Sequence, residues 1–248
     1  MPPPIPPLQV RCGVGPFHDA RLYRKSGREQ VHDLRRLGGL RPVDVFLDVG
    51  CGCGRVAGAL TEYLADLGRY EGFDVAALSV RWCVEHITPH HPNFRFQHVN
   101  VRARSHNPCG EVEAAAYTFP YADRTFHIAL VSSVFTHMRP EGVERYMAES
   151  SRVLKRGGRL IVSHMLINAA ALEAIEKKTT VFDFRYRMAS CRTFDRRRPE
   201  EGIAYEEPYA LDLFAANGLE IQWPIHYGNW RRQRNRMVTH DWIVGLKR

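Results

Sequence analysis

Several features of known protein classes are missing from this sequence. No apolar run reaches the roughly 18 residues that a membrane-spanning helix needs. The first residues, MPPPIPPL, lack the basic and apolar regions of a secretory signal, so we expect a cytoplasmic protein. Six cysteines are too few for a disulfide scaffold in a chain of 248 residues, and neither a CxxC pair nor an HExxH motif occurs. We therefore expect no membrane span, no disulfide framework and no bound metal.

Length and charge narrow the class further. A chain of 248 residues with 44% hydrophobic residues fits one large domain with a well-filled core. The net charge is +8, and much of it lies in two clusters of arginines, within residues 185–198 and 231–236. Such clusters suit a nucleic acid or an anionic substrate, but we favour a solvated basic surface.

Apolar segments of strand and helix type alternate along the chain. Strands are predicted at 43–49, 70–74, 94–101, 126–132, 159–165, 219–227 and 241–248. Helices are predicted at 26–38, where Ser26 can cap the first turn, and at 55–66, 76–87, 139–154, 169–178 and 209–216. This order predicts an α/β fold, a doubly wound and mostly parallel seven-stranded sheet that ends in an antiparallel hairpin. We expect a proline-rich, exposed tail over 1–25 and a single domain over 26–248, with residues 165–206 as a substrate cap.

The most informative segment is a glycine-rich turn after the first buried strand. Val45-Phe46-Leu47 leads into Asp48, and glycines follow at positions 50, 52 and 54. A dinucleotide-binding turn requires a small residue where this chain has Arg55. Moreover, the carboxylate of Asp48 would repel a pyrophosphate held at the start of a helix. The same carboxylate favours a cationic ligand such as S-adenosylmethionine, which carries an ammonium and a sulfonium but no phosphate.

With these residues the chain resembles the class I S-adenosylmethionine-dependent methyltransferases. The segment from Asp48 to Gly54 matches their D/ExGxGxG motif, Asp74 ends the second strand as their ribose-binding acid does, and RVLKRGGRLIVS matches their RxLKPGGxL motif. Three positions depart from the family: Asn100 replaces a usual aspartate at the adenine, His127 replaces a commonly structural aspartate, and Arg156 replaces a proline. The resemblance implies S-adenosylmethionine as cofactor, S-adenosylhomocysteine as product, and a cofactor site formed by Asp48, Gly50, Cys51, Gly52, Gly54, Arg55, Asp74, Val75, Asn100, Val101, Ser132 and Ser133.

His137 follows the fourth strand and is our candidate for a catalytic base, because imidazole titrates near neutral pH. The alternative is that it caps or packs against the next helix. Within the expected cap, Phe182, Phe184 and Tyr186 alternate with arginines, a pattern that suits an aromatic or acidic substrate or, equally, a strand with an inward aromatic face.

The resemblance implies an enzyme that methylates an oxygen or nitrogen atom of a small molecule. Two other functions stay open. One is a nucleic-acid methyltransferase, although the SSVF that follows the fourth strand is not a base-flipping motif of the NPPY type. The other is a protein of this fold that binds the cofactor without transferring methyl.

Overall fold

A computed structural model describes residues 2–11, 17–231 and 239–248. Their helices are α1 (Leu8–Arg11), α2 (Ala20–Gly38), α3 (Arg55–Leu60), α4 (Ala77–His86), α5 (Pro140–Val153), α6 (Ala169–Glu176) and α7 (Glu207–Ala216). Their strands are β1 (Val45–Val49), β2 (Arg69–Asp74), β3 (Phe94–His98), β4 (Phe126–Val131), β5 (Leu154–His164), β6 (Leu166–Ile167), β7 (Tyr186–Arg187), β8 (Cys191–Thr193), β9 (Ile203–Glu206), β10 (Leu219–Ile221) and β11 (Asp241–Lys247). Within these residues, every helix is too short or too polar to span a membrane.

Seven strands form the large sheet in the order β10-β11-β5-β4-β1-β2-β3. β1 and β3 both pair parallel with β2. β11 runs antiparallel to its two neighbours, β5 and β10. This confirms the predicted α/β fold, including the antiparallel pair at the end of the chain. The chain divides into two compact units, Met1–Val112 with Thr125–Leu130 and Glu113–Arg124 with Val131–Arg248.

In the first unit, aromatic rings hold the parallel strands in register. Tyr70 lies directly across from Phe46 on β1 and Phe94 on β3, and all three are fully buried. Its ring stacks on both neighbours, with centroid distances of 5.9 and 5.1 Å. Aromatic pairs across strands stabilise a sheet. The register that they support places Asp48 on β1 beside Gly72 on β2.

The N-terminal segment of the first unit differs from the prediction. α2 begins at Ala20, because the Asp19 carboxylate accepts hydrogen bonds from the N–H groups of Arg21 and Leu22 and so caps the helix. The prediction that Ser26 caps this helix is wrong, since Ser26 lies inside it and donates to the Tyr23 carbonyl. Of residues 2–8, which we expected to be exposed, residue 6 is buried and the others are exposed or half-buried.

Two further elements of the first unit are shorter than predicted. α3 ends at Leu60, after which the N–H of Ala65 donates to the carbonyl of Pro42 rather than continuing the helix. β3 ends at His98, so Asn100 and Val101 lie beyond the strand.

The second unit contains a small sheet in the segment 165–206, with strand order β6-β9-β8-β7. Its core is an aromatic cluster in which Phe184 is fully buried and contacts Trp230, Phe182 and Phe194. Tyr186 lies on the surface, 38% exposed. Phe182 and Phe184 therefore pack inward, as the second of the two interpretations expected, but they precede β7 and do not lie on a strand.

Candidate functional site

Backbone hydrogen bonds tie the glycine-rich turn after β1 to the end of β2. The N–H groups of Gly50 and Cys51 both donate to the carbonyl of Phe73, at 2.9 and 3.0 Å. Gly50, Gly52 and Gly54 have φ values of 78°, 52° and 78°, which residues with a Cβ rarely adopt. A Cβ on Gly54 would also lie 2.8 Å from Cδ1 of Ile87. The turn thus has a shape that other residues at these positions would strain.

Asp74 ends β2 and braces the turn. Its Oδ2 accepts a hydrogen bond of 2.7 Å from the N–H of Gly52, and its Oδ1 accepts one of 2.8 Å from the N–H of Ala76. The side chain is half-buried. An ionised carboxylate offers about four acceptor positions, so two stay available for hydroxyl groups of a ligand.

Asp48, on β1, is only 2% exposed. The hydroxyl of Tyr70 donates to its Oδ2 at 2.7 Å. Burial raises the pKa of this carboxyl to about 6, although the Tyr70 hydrogen bond and the nearby charge of Arg55 oppose the shift. Asp48 is therefore ionised at neutral pH but close to its titration range.

Neighbouring helices cover the outer side of the turn. Tyr23 on α2 is buried, and its hydroxyl donates to the carbonyl of Cys53 at 2.9 Å. Arg55, at the start of α3, donates from Nη1 to the carbonyl of Ser26 at 3.0 Å. Burial lowers the pKa of Arg55, yet a guanidinium stays charged at every physiological pH. Burial also raises the pKa of the Cys53 thiol to about 11, so this thiol is protonated at neutral pH.

The remaining predicted cofactor residues of the first unit follow the second and third strands of the large sheet. Val75 follows Asp74, and its carbonyl lies 3.2 Å from Nε2 of His98. Val101 is buried, whereas Asn100 is exposed and its carbonyl accepts from the N–H groups of residues 111 and 112. His127 lies at the opposite end of the strands, where its Nδ1 accepts the N–H of Val45 at 2.9 Å. That bond gives His127 a structural function in place of the usual aspartate.

Ser132, Ser133 and His137 belong to the second unit. Ser133 has a φ of 58°, a strained value for a residue with a side chain, and its N–H donates to Oγ of Ser163 at 2.7 Å. The hydroxyl oxygens of Ser133 and Ser163 each lie 3.3 Å from Nδ1 of His240. These three side chains form a polar cluster where β4 and β5 end and β11 begins.

His137 lies in a single turn of 3₁₀ helix, Phe135–His137, and its side chain is exposed. Its Nδ1 lies 3.0 Å from the carbonyl oxygen of Glu200. A carbonyl oxygen only accepts hydrogen bonds, so Nδ1 carries the proton and the lone pair of the neutral ring is on Nε2. The ring is therefore held in the tautomer that a proton acceptor at Nε2 requires.

Sequence reasoning missed three residues of these groups: Tyr70, Ser163 and His240. Ser163 is the last residue but one of β5, close to Ser133, and its position near the end of an apolar strand was a usable signal. His240 directly precedes an apolar strand. Because that strand is antiparallel to β5, its start lies at the end of β5, so this position was also a usable signal. Tyr70 and Gly72 are buried and alternate with the half-buried Arg69 and Glu71 on β2, but the pairing with Asp48 depends on the strand register.

Four of the seven arginines that the structure describes in these clusters form ion pairs with carboxylates. In the first cluster, three ion pairs join Arg185 to Asp183, Arg192 to Glu206 and Arg198 to Asp195. In the second, Arg231 is buried and pairs with Asp241. The other members of that cluster, Arg232, Arg234 and Arg236, lie outside the described residues.

Comparison with known proteins identifies a family for the central segment. Residues 47–162 match the family model described as methyltransferase domain. A solved S-adenosylmethionine-dependent methyltransferase of Methanosarcina mazei is 20% identical with a TM-score of 0.54, over 88% of this chain and 96% of the other. The 1,6-didemethyltoxoflavin-N1-methyltransferase of Burkholderia thailandensis, solved with bound S-adenosylhomocysteine, is 16% identical with a TM-score of 0.55, over 98% and 92%.

The [4+2]-cyclase SpnF is 21% identical with a TM-score of 0.52, over 80% of this chain. This chain spans only 59% of that cyclase. At such identities the three structures show that the fold is shared, and they do not show that the reactions are.

Proposed function

Since the chain belongs to the class I S-adenosylmethionine-dependent methyltransferases, we propose that it methylates an oxygen or nitrogen atom of a small molecule. The cofactor is S-adenosylmethionine, which supplies a methyl group on a positively charged sulfur. The acceptor must then present a nucleophilic lone pair, and a hydroxyl or ammonium acceptor must first lose a proton.

The donor set of the first unit fits this cofactor. The buried carboxylate of Asp48 suits the ammonium of the methionine portion, and Oδ1 and Oδ2 of Asp74 suit the two ribose hydroxyls as a charge-assisted pair. Gly50, Gly52 and Gly54 keep side chains away from the turn. The side-chain amide oxygen of Asn100 would accept a hydrogen bond from the adenine amino group. Ser132 and Ser133 stay cofactor residues on the strength of the sequence resemblance alone.

The orientation of the His137 ring carries the proposal for oxygen or nitrogen methylation. Because Nδ1 donates to the carbonyl of Glu200, Nε2 has the lone pair that takes the proton from the acceptor. Methylation of a group that is already deprotonated needs no such base. A tautomer set in this way therefore supports an acceptor that starts protonated, such as a hydroxyl.

A panel of phenols, catechols and amines tests the proposal. The protein is incubated with S-adenosylmethionine and each compound, and the products are analysed for one added methyl group by mass spectrometry. With an accepted compound, His137→Gln should lower kcat by about 10²-fold to 10⁴-fold while the affinity for S-adenosylhomocysteine stays unchanged. The loss should be smaller for acidic phenols, which ionise without help.

His32→Gln is the matched control, because His32 is an exposed histidine on α2 of the first unit. Its kcat should equal that of the unmodified protein. An equal kcat for His137→Gln at every acceptor acidity would refute the base assignment. Methylation confined to carbon atoms would refute the oxygen or nitrogen class.

The fold shared with the [4+2]-cyclase favours a second candidate, in which the site holds a substrate for rearrangement without methyl transfer. The same reactions separate the two. Methyl transfer releases S-adenosylhomocysteine and raises the product mass, whereas a rearrangement consumes its substrate with neither change.

A further inference from the structure

Tyr70 is fully buried, and its hydroxyl donates a hydrogen bond to the Asp48 carboxylate. Its ring is held from both sides by Phe46 and Phe94 and tilts against Phe96 at 5.3 Å. Rotation of the ring away from Asp48 would break this packing. The hydrogen bond of 2.7 Å is therefore built into the core of the sheet.

Gly72 makes this arrangement possible. It lies two residues after Tyr70, on the same face of β2, and pairs with Asp48 across the sheet. A Cβ at position 72 would lie 2.8 Å from the Tyr70 hydroxyl oxygen and 2.9 Å from Cβ of Cys51. Both contacts are closer than packed atoms allow. The Tyr70 hydroxyl can therefore contact Asp48 only because residue 72 has no side chain.

We infer that Tyr70 positions the Asp48 carboxylate for the ammonium of S-adenosylmethionine and sets the pH range in which the cofactor binds. The tyrosine donates to Oδ2 and so fixes the orientation of the carboxylate. Oδ1 is then the oxygen that serves the ligand. This inference rests on the proposed placement of the methionine portion of the cofactor at Asp48. It adds a positioning residue from outside the glycine-rich turn.

The groups around Asp48 define the sign of the effect. Tyr70 on β2 and Arg55 on α3 favour its ionised form, whereas Asp74 and burial favour the neutral form. The buried thiols of Cys51 and Cys83 also lie near it and stay protonated at neutral pH, because burial raises their pKa. Loss of the Tyr70 hydroxyl removes a donor to the ionised carboxylate, so a higher pH is then needed to ionise Asp48.

Calorimetric titration with S-adenosylhomocysteine between pH 5.0 and 7.5 tests this inference. The ligand's own amino group stays protonated over this range, because the amino group of an amino acid titrates at a higher pH. The affinity of the unmodified protein should fall at low pH with a midpoint near pH 6, the pKa of Asp48. In Tyr70→Phe the midpoint should move up by about one pH unit, because a hydrogen bond to a charged group has about that strength.

Two variants complete the design. Tyr63→Phe is the matched control, since the Tyr63 hydroxyl donates to the carbonyl of Leu40 at 2.7 Å and does not contact Asp48. It should keep the midpoint of the unmodified protein. Asp48→Asn should bind about tenfold or more weakly at pH 7, with no midpoint near pH 6, because an amide does not titrate.

The outcomes separate the inference from the proposed function. Coincident midpoints for Tyr70→Phe and the unmodified protein overturn the inference, as does an unmodified protein whose affinity is flat over the range. Binding of S-adenosylhomocysteine in either case leaves the cofactor assignment standing. Absence of binding at every pH, on folded protein, overturns both.

Discussion

Removal of the Asp241 carboxylate should destabilise the protein far more than loss of an ordinary ion pair. Asp241 is 0% exposed and pairs through both oxygens with the buried guanidinium of Arg231, at 2.7 and 2.8 Å. It also accepts from Nε1 of Trp230 at 2.9 Å and from the N–H groups of Leu166 and Gly228, both at 2.8 Å. Asp241→Ala leaves these five donors without their acceptor.

The magnitude follows from the burial of the pair. Breaking a buried ion pair by removing one partner costs about 3 to 5 kcal/mol, because the other charge stays buried and unpaired. For a chain of this length that corresponds to a fall in Tm of roughly 6 to 20 °C. Differential scanning calorimetry measures it directly.

Asp183→Ala is the control, since it removes the partner of Arg185 in an exposed ion pair of the same unit. Exposed pairs contribute about 0 to 1 kcal/mol, so its Tm should fall by no more than about 4 °C. Equal Tm values for the two variants would refute the conclusion that burial makes the Asp241 network strong.

Three further predictions concern stability. Burial and the neighbouring His240 lower the pKa of His164 to about 3, so the unfolded chain takes up a proton first as the pH falls. Measured by urea unfolding, the free energy of unfolding should therefore fall by about 2 kcal/mol between pH 7 and 5. In His164→Leu this fall should be absent. Gly54→Ala should cost about 2 to 4 kcal/mol in the same assay, because it adds a Cβ at a positive φ against Ile87. Burial of Glu149 is outweighed by hydrogen bonds, chiefly from Arg152, so its pKa is lowered. Its stabilising effect exists above the unfolded pKa and is lost as pH falls through the lowered one, so Glu149→Gln should be less stable at pH 7 and match the parent in acid.

The order of strands and helices was predictable because strands such as β1 and β4 are short apolar runs set between polar or glycine-rich segments. Val45-Phe46-Leu47 before Asp48 is such a run, and the interpretation of the turn after it needed Asp48 and Arg55 as well as the glycine spacing. Element ends were harder to predict. The start of α2 depends on Asp19, and the end of α3 depends on a hydrogen bond between Ala65 and Pro42, which are distant in sequence.

For the candidate site, the sequence proposes residue types but not their contacts. Asp48 and Asp74 follow from the motif, but the phenol of Tyr70 reaches Asp48 only through the register that sets Gly72 beside it. The cluster of Ser133 with His240 joins residues more than 100 positions apart, and sequence pattern alone contains no distance between them.

Binding of the cofactor by the glycine-rich turn and Asp74 is the central claim, and thermal unfolding with S-adenosylhomocysteine tests it most directly. Ligand at 100 times its dissociation constant stabilises the folded protein by about 2.7 kcal/mol, which corresponds to roughly 5 to 10 °C for this chain. We predict this shift for the unmodified protein and for Asp33→Ala, a change on α2 remote in sequence from the turn, and its loss in Asp74→Ala. A folded protein that shows no shift, or a shift that Asp74→Ala retains in full, would contradict the claim.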